Sequence, residues 1–284
     1  MHINIAGLRY GATLLGAALA GCGGVADDIA KPIADAYVCA FTNCKESDSL
    51  ALEDISPSFV VSRAAGQLRV EAGFGYRANL LTQVRLSSSD RLSAIVDGQR
   101  HDFSSTDDSR ANWVAQFPAN GATPSVQLTL ERGTRTLTSS VQLPQLALLS
   151  TAQSVTLTRS SGGYVVQLSS GDSAHLGARV EGECSRVDGS RFKLTGDAIA
   201  YSPQGSGAGG AWAYRVDSAQ LDSRLNELSR QNNKQDPATS PVASCQLSVN
   251  WVLDQPGQLD PGFSSHGRIV GRAQVSQGLS YLAS

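Results

Sequence analysis

Val61-Ser62-Arg63-Ala64-Ala65-Gly66-Gln67-Leu68-Arg69-Val70-Glu71 lines up with Leu157-Thr158-Arg159-Ser160-Ser161-Gly162-Gly163-Tyr164-Val165-Val166-Gln167, an offset of 96 residues. Two further pairs follow in the same order. Val96-Asp97-Gly98-Gln99-Arg100 matches Val187-Asp188-Gly189-Ser190-Arg191 at an offset of 91, and Val126-Gln127-Leu128-Thr129-Leu130 matches Cys245-Gln246-Leu247-Ser248-Val249 at 119. Three ordered matches make an internal duplication of domain size, too long for a solenoid unit of roughly 20–50 residues.

The matched segments alternate with period two. Leu68, Val70 and Ala72 are spaced by Arg69 and Glu71; Val126, Leu128 and Leu130 by Gln127 and Thr129; Leu137, Val141 and Leu143 continue the pattern. Such segments bury one face and wet the other, the mark of antiparallel strands. Asp97-Gly98 and Asp188-Gly189 sit between apolar runs as hairpin turns with both residues at positive φ. Pro144 cannot continue a central strand and closes the first unit. A repeat of about 100 residues has the length of an immunoglobulin-like domain. The expected fold is therefore all-β: two tandem immunoglobulin-like antiparallel β-sandwiches, residues 56–147 and 148–284.

The larger third offset places an insertion in the second unit, and its content reads as one short helix over residues 217–231. Asp217-Ser218 can cap it, Leu221, Leu225 and Leu228 fall at i, i+4 and i+7, and Gln231-Asn232-Asn233 ends it. The run Gly205-Ser206-Gly207-Ala208-Gly209-Gly210 reads as a flexible loop ahead of Trp212. It lacks the spacing and the strand-then-helix setting of a phosphate loop or dinucleotide site. Residues 254–263, with two Pro-Gly pairs, read as a long loop before a last strand near Ile269 and Val275.

At the N-terminus, residues 10–20 (YGATLLGAALA) carry no charge and follow a short start whose only fixed charge is Arg9. The run ends at Gly21-Cys22-Gly23-Gly24, too short for a membrane span of about 20 residues, and reads as a signal peptide over residues 1–21. Leu19-Ala20-Gly21-Cys22 resembles the lipobox of bacterial lipoproteins. The resemblance implies diacylglyceryl attachment at the Cys22 thiol, a mature chain beginning there, and anchoring in a membrane. Gly23 rather than Asp after the cysteine implies the outer membrane. With the duplicated β units, the chain resembles bacterial lipoproteins carrying tandem immunoglobulin-like β-sandwich domains. That resemblance transfers no activity and no catalytic residue. Residues 22–55, poor in alternating apolar positions and containing Lys45-Glu46-Ser47-Asp48-Ser49, read as a tether with a short loop closed by Cys39 and Cys44.

Composition narrows the partners. The chain has 23 basic and 25 acidic residues; removing the signal removes Arg9 and leaves 22 against 25. A net negative mature chain is a poor fit to nucleic acid. Beside Cys22 stand Cys39, Cys44, Cys184 and Cys245, an even number outside the cytoplasm and so two disulfides. Of the three possible pairings, Cys39 with Cys44 and Cys184 with Cys245 each join one region of the chain. Zinc is disfavoured because the C-x4-C pair has no nearby His or second cysteine pair.

The search for chemistry finds no ordered motif. A serine hydrolase needs a nucleophile elbow with a downstream His; Ser264-Ser265-His266 has no such setting. His101, His175 and His266 are isolated, and Asp102, Asp107 and Asp108 fall short of a calcium loop. Asp254 and Asp260 are the carboxylates to inspect for a glycosidase pair, and also read as turn residues beside Pro and Gly. No cofactor and no metal site are expected. The expected function is a lipid-anchored, non-enzymatic cell-envelope module that binds a protein or glycan partner. The alternatives are a lipid-anchored glycan-directed hydrolase with its site between Ala200 and Ser244, and a structural subunit of an envelope assembly.

Overall fold

A computed structural model describes residues 44–284 apart from 65–66, 107–109, 119–120, 122, 151, 208–209, 235 and 237. Cys22, Cys39, Asp107 and Asp108 lie outside the described residues. The first half holds β1 (Lys45–Glu46), β2 (Ile55–Ala64), β3 (Gln67–Tyr76), β4 (Asn79–Arg85), β5 (Asp90–Val96), β6 (Gln99–Asp102), β7 (Ser104–Ser105), β8 (Asn112–Pro118), β9 (Ser125–Arg132) and β10 (Arg135–Gln142). The second holds β11 (Ser154–Thr158), β12 (Tyr164–Leu168), β13 (Leu176–Arg186), β14 (Arg191–Ala198), β15 (Ser202–Ser206), β16 (Trp212–Val216), the helix α1 (Ser218–Asn232), β17 (Val242–Pro256) and β18 (Arg268–Leu282).

The alternating segments form the expected strands. Leu68, Val70 and Ala72 are buried on β3, while Val126, Leu128 and Leu130 are buried on β9. The duplication is visible in the pairing: one sheet runs β10-β9-β5-β6, and the path β18-β17-β13-β14 repeats that order in the second half. Facing strands repeat as well. β3 pairs β8 and β8 pairs β7 in the first half, as β12 pairs β16 and β16 pairs β15 in the second.

Two apolar cores result. One gathers Phe59, Val61, Leu68 and Val70 against Leu92, Val126, Leu128 and Val141. The other gathers Val166, Leu168, Tyr214 and Val216 against Val180, Val249, Trp251 and Tyr281. In the second, Trp251 lies 5.3 Å from Tyr201 and 5.9 Å from Tyr214, centroid to centroid. Helix α1 has the expected cap, with Asp217 accepting from the backbone N–H groups of Ala219 and Gln220 at 3.0 Å. Leu221, Leu225 and Leu228 are buried in the second core.

The structure departs from the sequence reading in five places. First, the sheets are not wholly antiparallel: β1·β4, β11·β18 and β18·β2 are parallel. Second, the two halves are not separated at residue 147. The ladder Arg268–Arg272 with Ser58–Ser62 fuses them into one 11-stranded sheet, and Phe263 and Ile269 pack in the first core. The loop is carried there because β17 and β18 outrun the second sandwich. Gly271 is required at this junction, since a Cβ there would stand 2.6 Å from the Gln142 carbonyl oxygen.

Third, the tether does not extend to residue 55. β1 adds to β4, and Ser47 is buried against Asp90, whose carboxylate is held by Arg132 at 2.6 and 3.0 Å. A polar run enters a fold when each buried polar atom finds such a partner. Fourth, only the first Asp-Gly turn has both residues at positive φ: Asp97 at 51° and Gly98 at 78°, against Gly189 alone at 83° in the second. The second turn is longer, closed by Arg186 N–H on the Ser190 carbonyl at 2.8 Å. Fifth, Gly205 and Ser206 are not in a loop, because they pair with Ala213 and Trp212.

Candidate functional site

Strand alternation exposes one face of the 11-stranded sheet across both halves. On it lie Arg69 and Glu71 of β3, Ser58 and Val60 of β2, Arg272 and Gln274 of β18, Asn250 and Asp254 of β17, and Arg179 and Glu181 of β13. The ladders set these residues side by side, since Ser62 is opposite Arg272, Asp254 opposite Arg272, and Arg179 opposite Asn250.

A groove of about 620 Å³ runs over the second-half part of this face, lined by His175, Arg179, Glu181, Asn250, Asp254 and Arg272 among others. A register shift between Val180 and Glu181 in the β13·β14 ladder marks a bulge at its floor, a feature that raises local twist and re-aims side chains. Asp254 takes the Arg272 guanidinium on both oxygens at 2.7 Å, and this fork raises the Arg272 pKa above its ordinary value. Arg179 donates one N–H to the Gly196 carbonyl at 3.2 Å and is otherwise exposed. Glu181 is exposed, and its carboxylate has no hydrogen bond or ion pair among the described residues. Asn250, 6% exposed, accepts from Ser276 Oγ at 2.6 Å and Ser248 Oγ at 3.3 Å. A second hollow of about 440 Å³, with Arg69, Glu71 and Asn112, lies on the same sheet in the first half.

Of the residues singled out in the sequence, His175 and Asp254 meet at the groove, where the Asp254 N–H donates to the His175 carbonyl at 3.0 Å; the others stand apart. His101 stacks on Phe117 at 4.2 Å between ring centres. His175 Nδ1 meets Asp172 at 2.7 Å, and His266 Nδ1 lies 3.4 Å from Ser264 Oγ. The Ser264 hydroxyl is engaged in its own turn, accepting from the His266 N–H at 3.2 Å, while its backbone N–H donates to the Ile55 carbonyl. Asp102 sits 3.5 Å from Arg100. Asp260 accepts from the backbone N–H groups of Thr138 and Gly262 at 2.7 and 2.8 Å, so its carboxylate fastens the 257–267 loop to β10.

In the stretch named for a hydrolase site, between Ala200 and Ser244, the carboxylates have structural partners. Asp217 caps α1, Asp222 meets Tyr281 and Arg159, and Glu227 meets Arg224. Among the described residues no group of three or more His, Cys, Asp and Glu is gathered as a metal would require. Nor is any helix long and apolar enough to cross a membrane.

Cys184 and Cys245 are bonded, as the regional pairing expected, at a sequence separation of 61. They stand directly opposite on neighbouring strands β13 and β17, Cα atoms 4.0 Å apart. The bridge therefore staples strands within one sheet. Cys44 is disulfide-bonded too. The sequence reading missed Arg179 and Glu181, because exposed charges alternating on a strand look the same whether the face is bare or grooved.

Comparison with known proteins adds little. No family model matches the chain, and no curated protein matches it. Solved structures that match include a chimeric titin Z1Z2 functionalised with a KLER exogenous peptide from decorin, at 16% identity over 81% of this chain and 97% of that one, with a TM-score of 0.19. At that score the superposition carries no argument, and the architecture rests on the strand pairing described above.

Proposed function

We propose that this chain is a lipid-anchored cell-envelope protein, held at the outer membrane by acylated Cys22. It serves as a non-enzymatic binding module for a protein or glycan partner. Its architecture is two tandem immunoglobulin-like sandwiches. What supports that finer reading is the repeated order of strands: β2-β3-β8-β7 faces β10-β9-β5-β6, and β12-β16-β15 faces β11-β18-β17-β13-β14. Immunoglobulin-like domains place the first, second, fifth and fourth strands in one sheet and the third, sixth and seventh in the other; the first half follows that division with β4 and β6 added, and the second follows it with β14 added and its first strand, β11, moved to the other sheet.

The observation that carries binding is the grooved sheet face, where Arg179 and Glu181 offer a cation and an anion beside a rigid Asp254–Arg272 pair. Fixed polar groups on rigid strands select a partner at little ordering cost. A ligand with both hydrogen-bond donors and acceptors, a peptide backbone or a polyhydroxylated glycan, fits that pattern. The test is an array of envelope peptides and glycans probed with the full acylated protein and with its Arg179→Ala/Glu181→Ala variant. The expected result is a ligand that the variant binds at least about tenfold more weakly, a loss of roughly 1.4 kcal/mol. Equal binding by both proteins removes the groove from the account.

A further inference from the structure

The hairpin joining β3 to β4 ends in Tyr76-Arg77-Ala78-Asn79-Leu80-Leu81. Leu81 is 83% exposed and Leu80 57%, two adjacent large apolar side chains facing water. Around them stand the side chains that favour a membrane interface. Lys45 Nζ sits 4.8 Å over the Tyr76 ring. Arg77, Arg85 and Arg110 lie in the same end of the fold, where Arg77 pairs with Asp54 and both Arg85 and Arg110 pair with Glu46. Aromatic rings settle at the headgroup level, leucines below it, and cations against anionic lipid.

Chain direction points the same way. β1 runs parallel to β4, with Lys45 opposite Val84 and Glu46 opposite Arg85, so the polypeptide enters the fold from the side of the hairpin where Leu80 and Leu81 lie. Residues 23–44 separate Lys45 from Cys22, a length that reaches at most about 75 Å when fully extended. β18 supplies a ruler for the opposite end. Its start, Arg268, is level with Ser58, near the hairpin, and its end, Leu282, is level with Ser244 and Ser185 in the second half. At roughly 3.3 Å per residue that strand alone spans about 50 Å. Val187, 68% exposed, marks the far end.

We propose that the Tyr76–Leu81 hairpin end is a membrane-seating tip. Its leucines enter the headgroup and acyl boundary of the bilayer that holds Cys22, so that the second half points away from the lipid. This rests on the lipid-anchor reading above and adds an orientation to it.

The test uses the full acylated protein in vesicles of phosphatidylethanolamine and phosphatidylglycerol. The variants Leu81→Cys and Val187→Cys are labelled without reductant with the environment-sensitive dye NBD. Both are expected to float with the vesicles, with the dye at position 81 shifted to the blue and quenched several-fold more by doxyl-labelled lipids than the dye at 187. Floating protein in which aqueous iodide quenches both dyes alike overturns the tip while leaving the anchor standing. A dye at 81 that is shielded from iodide yet untouched by doxyl lipid assigns the leucines to a second copy of the chain, which also overturns it. Protein that does not float overturns the anchor and the tip together.

Discussion

In the first half the opening strand β2 stays beside β3, Ala64 opposite Gln67, whereas in the second half β11 leaves β12 for the other sheet and lies parallel to the end of β18. The free edge of β2 is consequently taken by the beginning of β18, and the second half reaches into the first. The first half is closed by chain from elsewhere: Phe263 beside Phe59 at 6.2 Å, the Asp260 carboxylate on Thr138, and Ser47 on Asp90. The second half closes itself, with the Cys184–Cys245 bridge and a helix laid on its core. β2 and β11 thus share β18, one along its beginning and the other along its end, and that shared strand locks the duplicated units together.

The largest expected effect breaks the self-closed half. Replacing Cys184 and Cys245 by serine removes a loop closure worth roughly 4 kcal/mol in the chain-entropy model, so urea unfolding monitored through near-ultraviolet circular dichroism should move to distinctly lower denaturant. An unchanged midpoint means the sheet is held without the staple.

A somewhat smaller effect breaks the borrowed closure. Phe263→Ala should cost about 3 kcal/mol, and hydrogen exchange should speed first in β2, β5 and β9, although the substituted residue belongs to the C-terminal half of the chain. Exchange that speeds only in β13 and β17 would mean that the cores are independent.

The smallest effect sharpens the contrast by pH. Tyr281 is pushed up to about 12 by burial and by its hydrogen bond to Asp222, while Tyr164, Tyr201 and Tyr214, all of the second half, are raised mainly by burial. A phenol kept neutral by folding contributes stability that is full below its unfolded pKa near 10, and is lost as pH rises through the folded value. The second half should therefore loosen first in alkali, and Tyr281→Phe should flatten the decline between about pH 10 and 12. A decline of the same steepness in parent and variant assigns the proton elsewhere.

Much of the fold was legible in the sequence because burial repeats at the strand period. Leu68, Val70 and Ala72 had no other way to share a face, and Asp97-Gly98 had few other turns to make. The helix was legible too, from the Asp217 cap and three leucines. What was not legible depends on which strand edges meet. Nothing in residues 154–158 announces that they will pair with β18 rather than β12, because a strand's composition records its two faces and not its neighbours. The burial of Ser47 is hidden in the sequence for a similar reason: its partner Asp90 is far away in the chain. The groove was hidden because its charged residues look like any solvated strand face until the ladders align them.

The most direct test of the account is the mass of the mature protein recovered from envelope membranes. The account predicts a chain beginning at Cys22 with a diacylglyceryl thioether on its sulfur, migrating with the membrane until that lipid is removed. A chain beginning at another residue, or a Cys22 whose sulfur carries no lipid, would contradict it.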